Sequence, residues 1–371
     1  MFATADPDVT SPQQTVGARL YEAVVAGRLE FDAAQQAAAA RLDALSARLR
    51  SRPRGLLQAL SARNKAAERG LYLWGGVGRG KTLLMDMFFA SLELPQAKRW
   101  HFYRFMRDVH AMLGGISRQT RPLEAVAQRI ARHARIVCLD EFLVGDIADA
   151  MILGGLLDGL FRRGVTLIAT SNLAPQDLYQ DGLQRQRFMP TIELLQSHVE
   201  VLHLDSGVDY RLRQLEQAPT YLDAKLPGTR AALEMRFAAL ARGSATGSAT
   251  LAIEGRPVQA LATGPGMVWF DFSELCEGPR SQNDYIELAR LYGTMFISNI
   301  PQFTPQHEDA ARRFIMLIDE LYDRGVKIVV SAAAAPADLY HGERLNREFE
   351  RAASRLVEMQ TPLYLAGRHR A

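Results

Sequence analysis

The 371-residue sequence predicts an α/β fold, a parallel sheet with helices on both faces. Three observations point there. Short apolar runs at residues 71–74, 136–140, 165–170 and 199–204 have the length and composition of buried strands. Stretches with helical spacing separate them, residues 146–163 most clearly, and alternating strands and helices build a parallel sheet. A glycine cluster from Gly75 to Gly80 joins the first run to the helical stretch 83–92.

In chain order, residues 1–66 form an N-terminal helical segment. Leu20, Val24, Val25 and Leu29, then Leu42, Leu45 and Leu49, recur at helical spacing, and Asp32 is suited to cap the second helix. Residues 67–214 hold the sheet and its glycine turn, with a further strand expected over 99–105. Residues 215–371 form a second, smaller α/β region: strand-like runs lie at 268–272, 295–300 and 326–331, with a helix over 305–324 and no glycine-rich loop of their own. The Gly-Ser-rich stretch 243–250 reads as a linker or the lead into a hairpin. One segment repeats. Residues 157–179 and 318–340 share Leu-or-Ile-Asp at the start, Arg-Gly-Val near the middle and Asp-Leu-Tyr at the end, as a degenerate second half would.

Composition narrows the function. With 48% hydrophobic and 23% charged residues, and no apolar run of the roughly 18 residues a membrane helix needs, the chain reads as globular. Asp6 and Asp8 sit in an N-terminus without a secretory core, so a cytoplasmic location is expected. Cys138 and Cys276 are too few for a disulfide framework or a zinc cluster, and His101 and His110 are wrongly spaced for a helical metal pair. A net charge of +3, from 44 basic and 41 acidic residues, does not by itself call for nucleic acid. The clusters Arg48, Arg50, Arg52, Arg54 and Arg99, Arg104, Arg107 read as solvated faces.

The chemistry starts at the glycine cluster. Gly75, Gly76, Val77, Gly78, Arg79, Gly80, Lys81 and Thr82 fit G-x-x-x-x-G-K-[ST] between a strand and a helix, the setting of a phosphate loop. Glycines let successive backbone N–H groups turn inward around phosphates at a helix N-terminus. Lys81 would neutralise the β- and γ-phosphates of ATP, and the Thr82 hydroxyl would ligate Mg2+. Asp140 ends the run 136–140, where it can reach the metal through water, and Glu141 follows as general base. Asn172, after the next run, can bond the γ-phosphate or the lytic water, or simply cap a turn. Arg185 and Arg187 precede a helix, where either stabilises transferred phosphoryl charge or forms a surface ion pair. The aromatic run His101 to Arg107 reads as core packing rather than a substrate-gripping loop.

Taken together, the phosphate loop, Leu139-Asp-Glu-Phe142 followed by Asp146-Ile-Ala-Asp149-Ala-Met151, Ala169-Thr-Ser-Asn172, Gly182-Leu-Gln-Arg-Gln-Arg-Phe188 and Ser354-Arg-Leu-Val-Glu-Met-Gln360 resemble the ZapE cell-division ATPases and their mitochondrial AAA+ relatives. The resemblance runs from about Tyr21 to Gln360. It implies an AAA+ ATPase that uses ATP and Mg2+, forms an ATP-dependent homo-oligomer, and acts on the FtsZ ring or other division-ring proteins, with membrane proteins as further targets. Recruitment to the division site or the inner membrane face goes with that role. By position, Lys81 and Thr82 belong to the first nucleotide motif, Asp140 and Glu141 to the second, and Asn172 to the first sensor. Arg187 is placed as the finger, Arg355 or Arg351 as the second sensor, and Gln35 of Asp32-Ala-Ala-Gln35 as a reader of the adenine edge. The sequence departs from the usual AAA+ pattern in showing no small four-helix lid after Leu204. The competing reading is a nucleic-acid-associated ATPase of helicase-loader type; a non-hydrolysing switch is disfavoured by Glu141 beside Asp140.

Overall fold

The computed structural model describes residues 14–51, 67–76, 78–116, 121–180, 182–204, 210–241, 245–367 and 369–370. It divides into two compact units, Met1–Gly75 with Leu83–Ser206, and Gly76–Thr82 with Gly207–Ala371.

The first elements are α1 (Val16–Val25) and α2 (Ala33–Ser51). Asp32 caps α2 as its sequence position suggests, accepting from the N–H groups of Ala34 and Gln35 at 2.9 and 3.1 Å. Asp43, midway along α2, accepts from the N–H groups of Val16 and Gly17 and so ties down the start of α1.

Then come β1 (Gly70–Trp74), α3 (Lys81–Leu92), β2 (Ala97–His101), α4 (Phe102–Gly114), α5 (Pro122–His133), β3 (Ile136–Asp140), α6 (Ile147–Phe161), β4 (Thr166–Ser171), α7 (Arg185–His198) and β5 (Val199–His203). The strands form one parallel sheet in the order β2-β3-β4-β1-β5. Because successive strand residues face opposite ways, each strand supplies two cores. Tyr72, Val137, Leu139, Leu167 and Ala169 pack with α4 to α7. Leu71, Leu73, Ile136, Cys138 and Ile168 pack with α1, α2 and α3. All five strands run one way, so Trp74, His101, Asp140, Ser171 and His203 end on one edge.

The strand expected over 99–105 is corrected: β2 stops at His101 and a helix begins at Phe102. Phe102, Phe105, Met106 and Val109 recur at helical spacing and are all buried, and this stripe wins over the β-propensity of the aromatic run.

The second set comprises α8 (Tyr210–Glu216), β6 (Tyr221–Asp223), α9 (Thr229–Ala241), β7 (Ala249–Ile253), β8 (Arg256–Ala260), β9 (Ala262–Gly264), β10 (Met267–Asp271), α10 (Phe272–Cys276), α11 (Gln282–Leu291), β11 (Thr294–Ile300), α12 (Glu308–Asp323), β12 (Lys327–Ala332), α13 (Asn346–Glu358) and α14 (Pro362–Ala366). Its main sheet runs β6-β12-β11-β10-β9, with only β9 antiparallel. The end of the Gly-Ser-rich stretch leads into a hairpin, β7 paired with β8 across Glu254 and Gly255. Phe272, Phe303, Phe314 and Phe349 form an aromatic cluster with centroids 5.4 to 6.3 Å apart.

Candidate active site

The loop after β1 is shaped by its glycines. At Gly75 a Cβ would lie 2.3 Å from the carbonyl oxygen of Leu204, whose own N–H donates to Trp74 O, so only glycine lets the chain leaving β5 close over the end of β1. Gly78 and Gly80 take φ of 77° and 84°, the left-handed region that side chains resist. Val77 lies outside the described residues. Lys81 opens α3 and is buried, with its Nζ donating to the carbonyl of Gly76 at 2.6 Å; Thr82, the next residue, is half-buried. The ammonium thus turns back onto its own loop.

The end of β3 holds the acids. Asp140 Oδ2 accepts from Arg99 Nε at 2.5 Å, and Arg99 Nη1 reaches Asp86 Oδ1 at 2.5 Å. Burial alone would lower the Arg99 pKa, but the charges of Asp140 and Asp86 reverse this and raise it above the usual guanidinium range. The Thr170 hydroxyl, at the end of β4, donates to Asp140 Oδ1 at 3.4 Å and accepts from the Glu141 N–H at 3.2 Å. Glu141 has φ of 53°, unusual for a residue with a side chain, and its Oε2 lies 3.1 Å from His101 Nε2.

Two carboxylates at one strand end are therefore held by two basic side chains of β2. Sequence reasoning missed Arg99, His101, Asp86 and Thr170 as parts of this site. A signal was present: Arg99 and His101 are basic residues at alternate positions of one strand and so share a face.

Asn172 follows the last residue of β4 and is half-buried. Its turn is fixed on both sides, by Ser171 Oγ donating to Phe142 O at 2.7 Å and by the Tyr72 hydroxyl donating to Leu173 O at 3.0 Å. Since β4 lies between β1 and β3, Asn172 stands between the strand that feeds the glycine loop and the strand that ends in the acids. Arg187 is exposed on the first turn of α7, whereas Arg185 donates to Gln176 O. Gln35 is buried in α2. Arg355, on α13, is engaged by Asp319 at 2.5 Å and Asp323 at 3.3 Å and stacks over the Tyr322 ring, and Arg351 also reaches Asp319.

The donors at Thr82 and Asp140 are oxygens, which suit Mg2+ rather than a softer metal. Among the described residues no group of three His, Cys, Asp or Glu could hold a metal ion. No helix among them is long and apolar enough to cross a membrane. In the basic cluster before Gly55, Arg48 pairs with Glu68 and Arg50 donates to Ser46 O; Arg52 and Arg54 lie outside the described residues.

The profile of the AFG1-like ATPases matches residues 14–368. Cell division protein ZapE of Escherichia coli (strain K12) is 48% identical over 303 residues, covering 82% of this chain and 81% of that protein. Lactation elevated protein 1 homolog B of Danio rerio is 36% identical over 343 residues, 80% of this chain and 68% of that one. Among solved structures, AMPPCP-bound DnaA from Aquifex aeolicus aligns with 57% of this chain and 56% of its own at 15% identity, with a TM-score of 0.34.

Proposed function

The chain belongs to the AFG1-like ATPase family, and from that premise we propose that it binds ATP with Mg2+ on loop 75–82, hydrolyses it with Glu141, and spends the cycle on remodelling a protein of the division ring. One observation carries the reading: two strand ends on one edge of a parallel sheet, one leading into a glycine loop and Lys81, the other ending in Asp140 and Glu141.

In this reading Lys81 exchanges the Gly76 carbonyl for phosphate oxygens, and the backbone N–H groups of Gly76, Gly78, Arg79 and Gly80 cradle the same charge, while that of Gly75, expected among them, is taken by Ser171 O. Thr82 and Asp140 would hold the Mg2+, which would supply positive charge against the phosphates when bound. Arg99 holds Oδ2 of Asp140, and the Thr170 hydroxyl bonds its Oδ1. Glu141 leaves His101, takes a proton from water, and the water oxygen bonds the γ-phosphorus as the bond to ADP breaks. Asn172 orients that water or the γ-phosphate.

Arg187, exposed on α7, serves the site of a neighbouring copy in an ATP-dependent homo-oligomer. Arg355 would have to give up Asp319 and Asp323 to act as second sensor, and Gln35 its buried place to read adenine. The cell-division relative supports a division-ring partner, and FtsZ is the one proposed. The test is co-sedimentation of the Glu141→Gln variant with FtsZ polymers in ATP and in ADP. ATP-dependent pelleting supports the reading; no pelleting in either nucleotide, with salt-sensitive retention on DNA, would replace it with the helicase-loader type.

A further inference from the structure

The echo between residues 157–179 and 318–340 extends far beyond the helix and strand that carry it. Both segments fold as a helix, a left-handed glycine (Gly164 or Gly325), an interior strand and a short 3₁₀ helix, Pro175–Asp177 or Pro336–Asp338. Around that strand the two sheets share one order, β2-β3-β4-β1 and β10-β11-β12-β6, all parallel.

Register then assigns counterparts residue by residue. Tyr72 pairs with Ala169, and Tyr221 pairs with Val330, the echo's counterpart of Ala169. The Tyr72 hydroxyl donates to Leu173 O at 3.0 Å, and the Tyr221 hydroxyl donates to Ala334 O at 2.7 Å. The N–H of Gly75 bonds Ser171 O; that of Ala224 bonds Ala332 O. The N–H of Glu141 donates to Thr170 Oγ1 at 3.2 Å, and that of Asn299 to Ser331 Oγ at 3.1 Å. Both Glu141 and Asn299 are left-handed, with φ of 53° and 63°. Helices α3 and α9 each start after a left-handed glycine, Gly80 and Gly228. Unrelated α/β units share crossover handedness because strand twist imposes it. Nothing imposes a tyrosine bond at one register position or a strained side-chain-bearing residue at one strand end.

We propose that the second sheet is a duplicate of the first with its nucleotide site rebuilt, so that each chain carries one ATP-hydrolysing unit and one nucleotide-blind copy. Its statement about the first sheet rests on the function proposed above; the duplication does not. Thr229 stands where Lys81 stands, Ser298 where Asp140 does, and Asn299 where Glu141 does. Arg99 and His101 have become Trp269 and Asp271. The pairings survive this exchange of chemistry. The Arg99–Asp140 ion pair has become Trp269 Nε1 donating to Ser298 Oγ at 3.3 Å, and the His101–Glu141 contact has become Asn299 Nδ2 donating to Asp271 Oδ2 at 2.6 Å. A cation for phosphate, an acid for the metal and a base for water are all replaced, and the strand ends bond each other instead.

Two measurements on the full chain test this. Asn299→Glu sets a carboxylate against Asp271 and should lower the unfolding midpoint by about 2–4 °C. Adding Asp271→His recreates the pairing seen between His101 and Glu141 and should restore at least half of that loss in a double-mutant cycle. Additive losses would overturn the equivalence. Calorimetry with ATP and Mg2+ should give one nucleotide per chain in wild type and in Thr229→Ala, and none in Lys81→Ala. A second nucleotide per chain, or one that persists in Lys81→Ala and is lost in Thr229→Ala, would overturn the nucleotide-blind copy. No nucleotide in wild type, with the Asp271–Asn299 recovery intact, would sink the proposed function and leave the duplication standing.

Discussion

Replacing Arg99 by Gln removes a guanidinium that contacts both Asp140 and Asp86. Each contact is 2.5 Å, and the three side chains are only 21%, 14% and 32% exposed. A unit-charge pair about 4 Å apart gains about 4 kcal/mol at an effective dielectric of 20. Much of that is returned as desolvation, whereas deleting one partner of a buried pair costs about 3–5 kcal/mol because the other charge stays behind. Discounting for partial exposure leaves a loss of about 2–3 kcal/mol. For a unit of this size that lowers the unfolding midpoint by roughly 5–10 °C. Asp140 and Asp86 then lose the guanidinium they share, so the variant should gain more stability from free Mg2+ than wild type does: about 2.7 kcal/mol at a hundredfold excess over its Kd. Nucleotide-free thermal melts with and without Mg2+ read both effects. A variant that melts with wild type, or whose melt ignores Mg2+, would refute the view that Arg99 is the resting counter-ion of the metal-binding acid.

Gly75→Ala should impair folding or nucleotide binding severely, because its Cβ would sit 2.3 Å from a backbone oxygen; a normal melt and a normal Kd would contradict the loop geometry. Tyr72→Phe should cost about 1 kcal/mol by leaving the Leu173 carbonyl without its donor, measured by urea unfolding. Burial, aided by the charge of Asp140, pushes the Cys138 thiol far up, and burial does the same to Cys276. Neither should be alkylated by iodoacetamide at pH 8 until urea is added. Arg187→Ala should bind ATP yet turn it over about a thousandfold more slowly. Mixing it with Lys81→Ala should restore activity at interfaces that combine an intact Lys81 with an intact Arg187; no recovery in confirmed mixed oligomers would confine Arg187 to its own subunit.

The first sheet was legible because its strands are buried on both faces and read as unbroken apolar runs, as at Ile136–Asp140, and because Gly75–Thr82 has few structural settings. The end of β2 was misread since Trp100, Phe102 and Phe105 suit a strand as well as a helix, and only the partners of Phe102 and Phe105 decide. Arg99 and His101 were not seen as site residues because nothing local says which strand lies beside β2; pairing with β3 is a property of the whole sheet. The same holds for the second sheet. Its repeat was visible in 157–179 against 318–340, where glycine, proline and core positions persist. It was invisible at Ser298 and Asn299, where the side chains and the chemistry of their bonds differ while the positions they pair with do not. Arg355 reads as an available cation on an amphipathic helix, and its engagement by Asp319 and Asp323 comes from α12, remote in sequence.

The central claim is that Lys81 binds the nucleotide and Glu141 breaks it, and it is tested most directly by measuring ATP affinity and turnover side by side in wild type, Lys81→Ala and Glu141→Gln. The account predicts that Lys81→Ala loses binding, while Glu141→Gln keeps wild-type affinity and loses about a hundredfold or more in turnover, since a general base acts only in the chemical step. Wild-type affinity in Lys81→Ala, or undiminished turnover in Glu141→Gln, would contradict it.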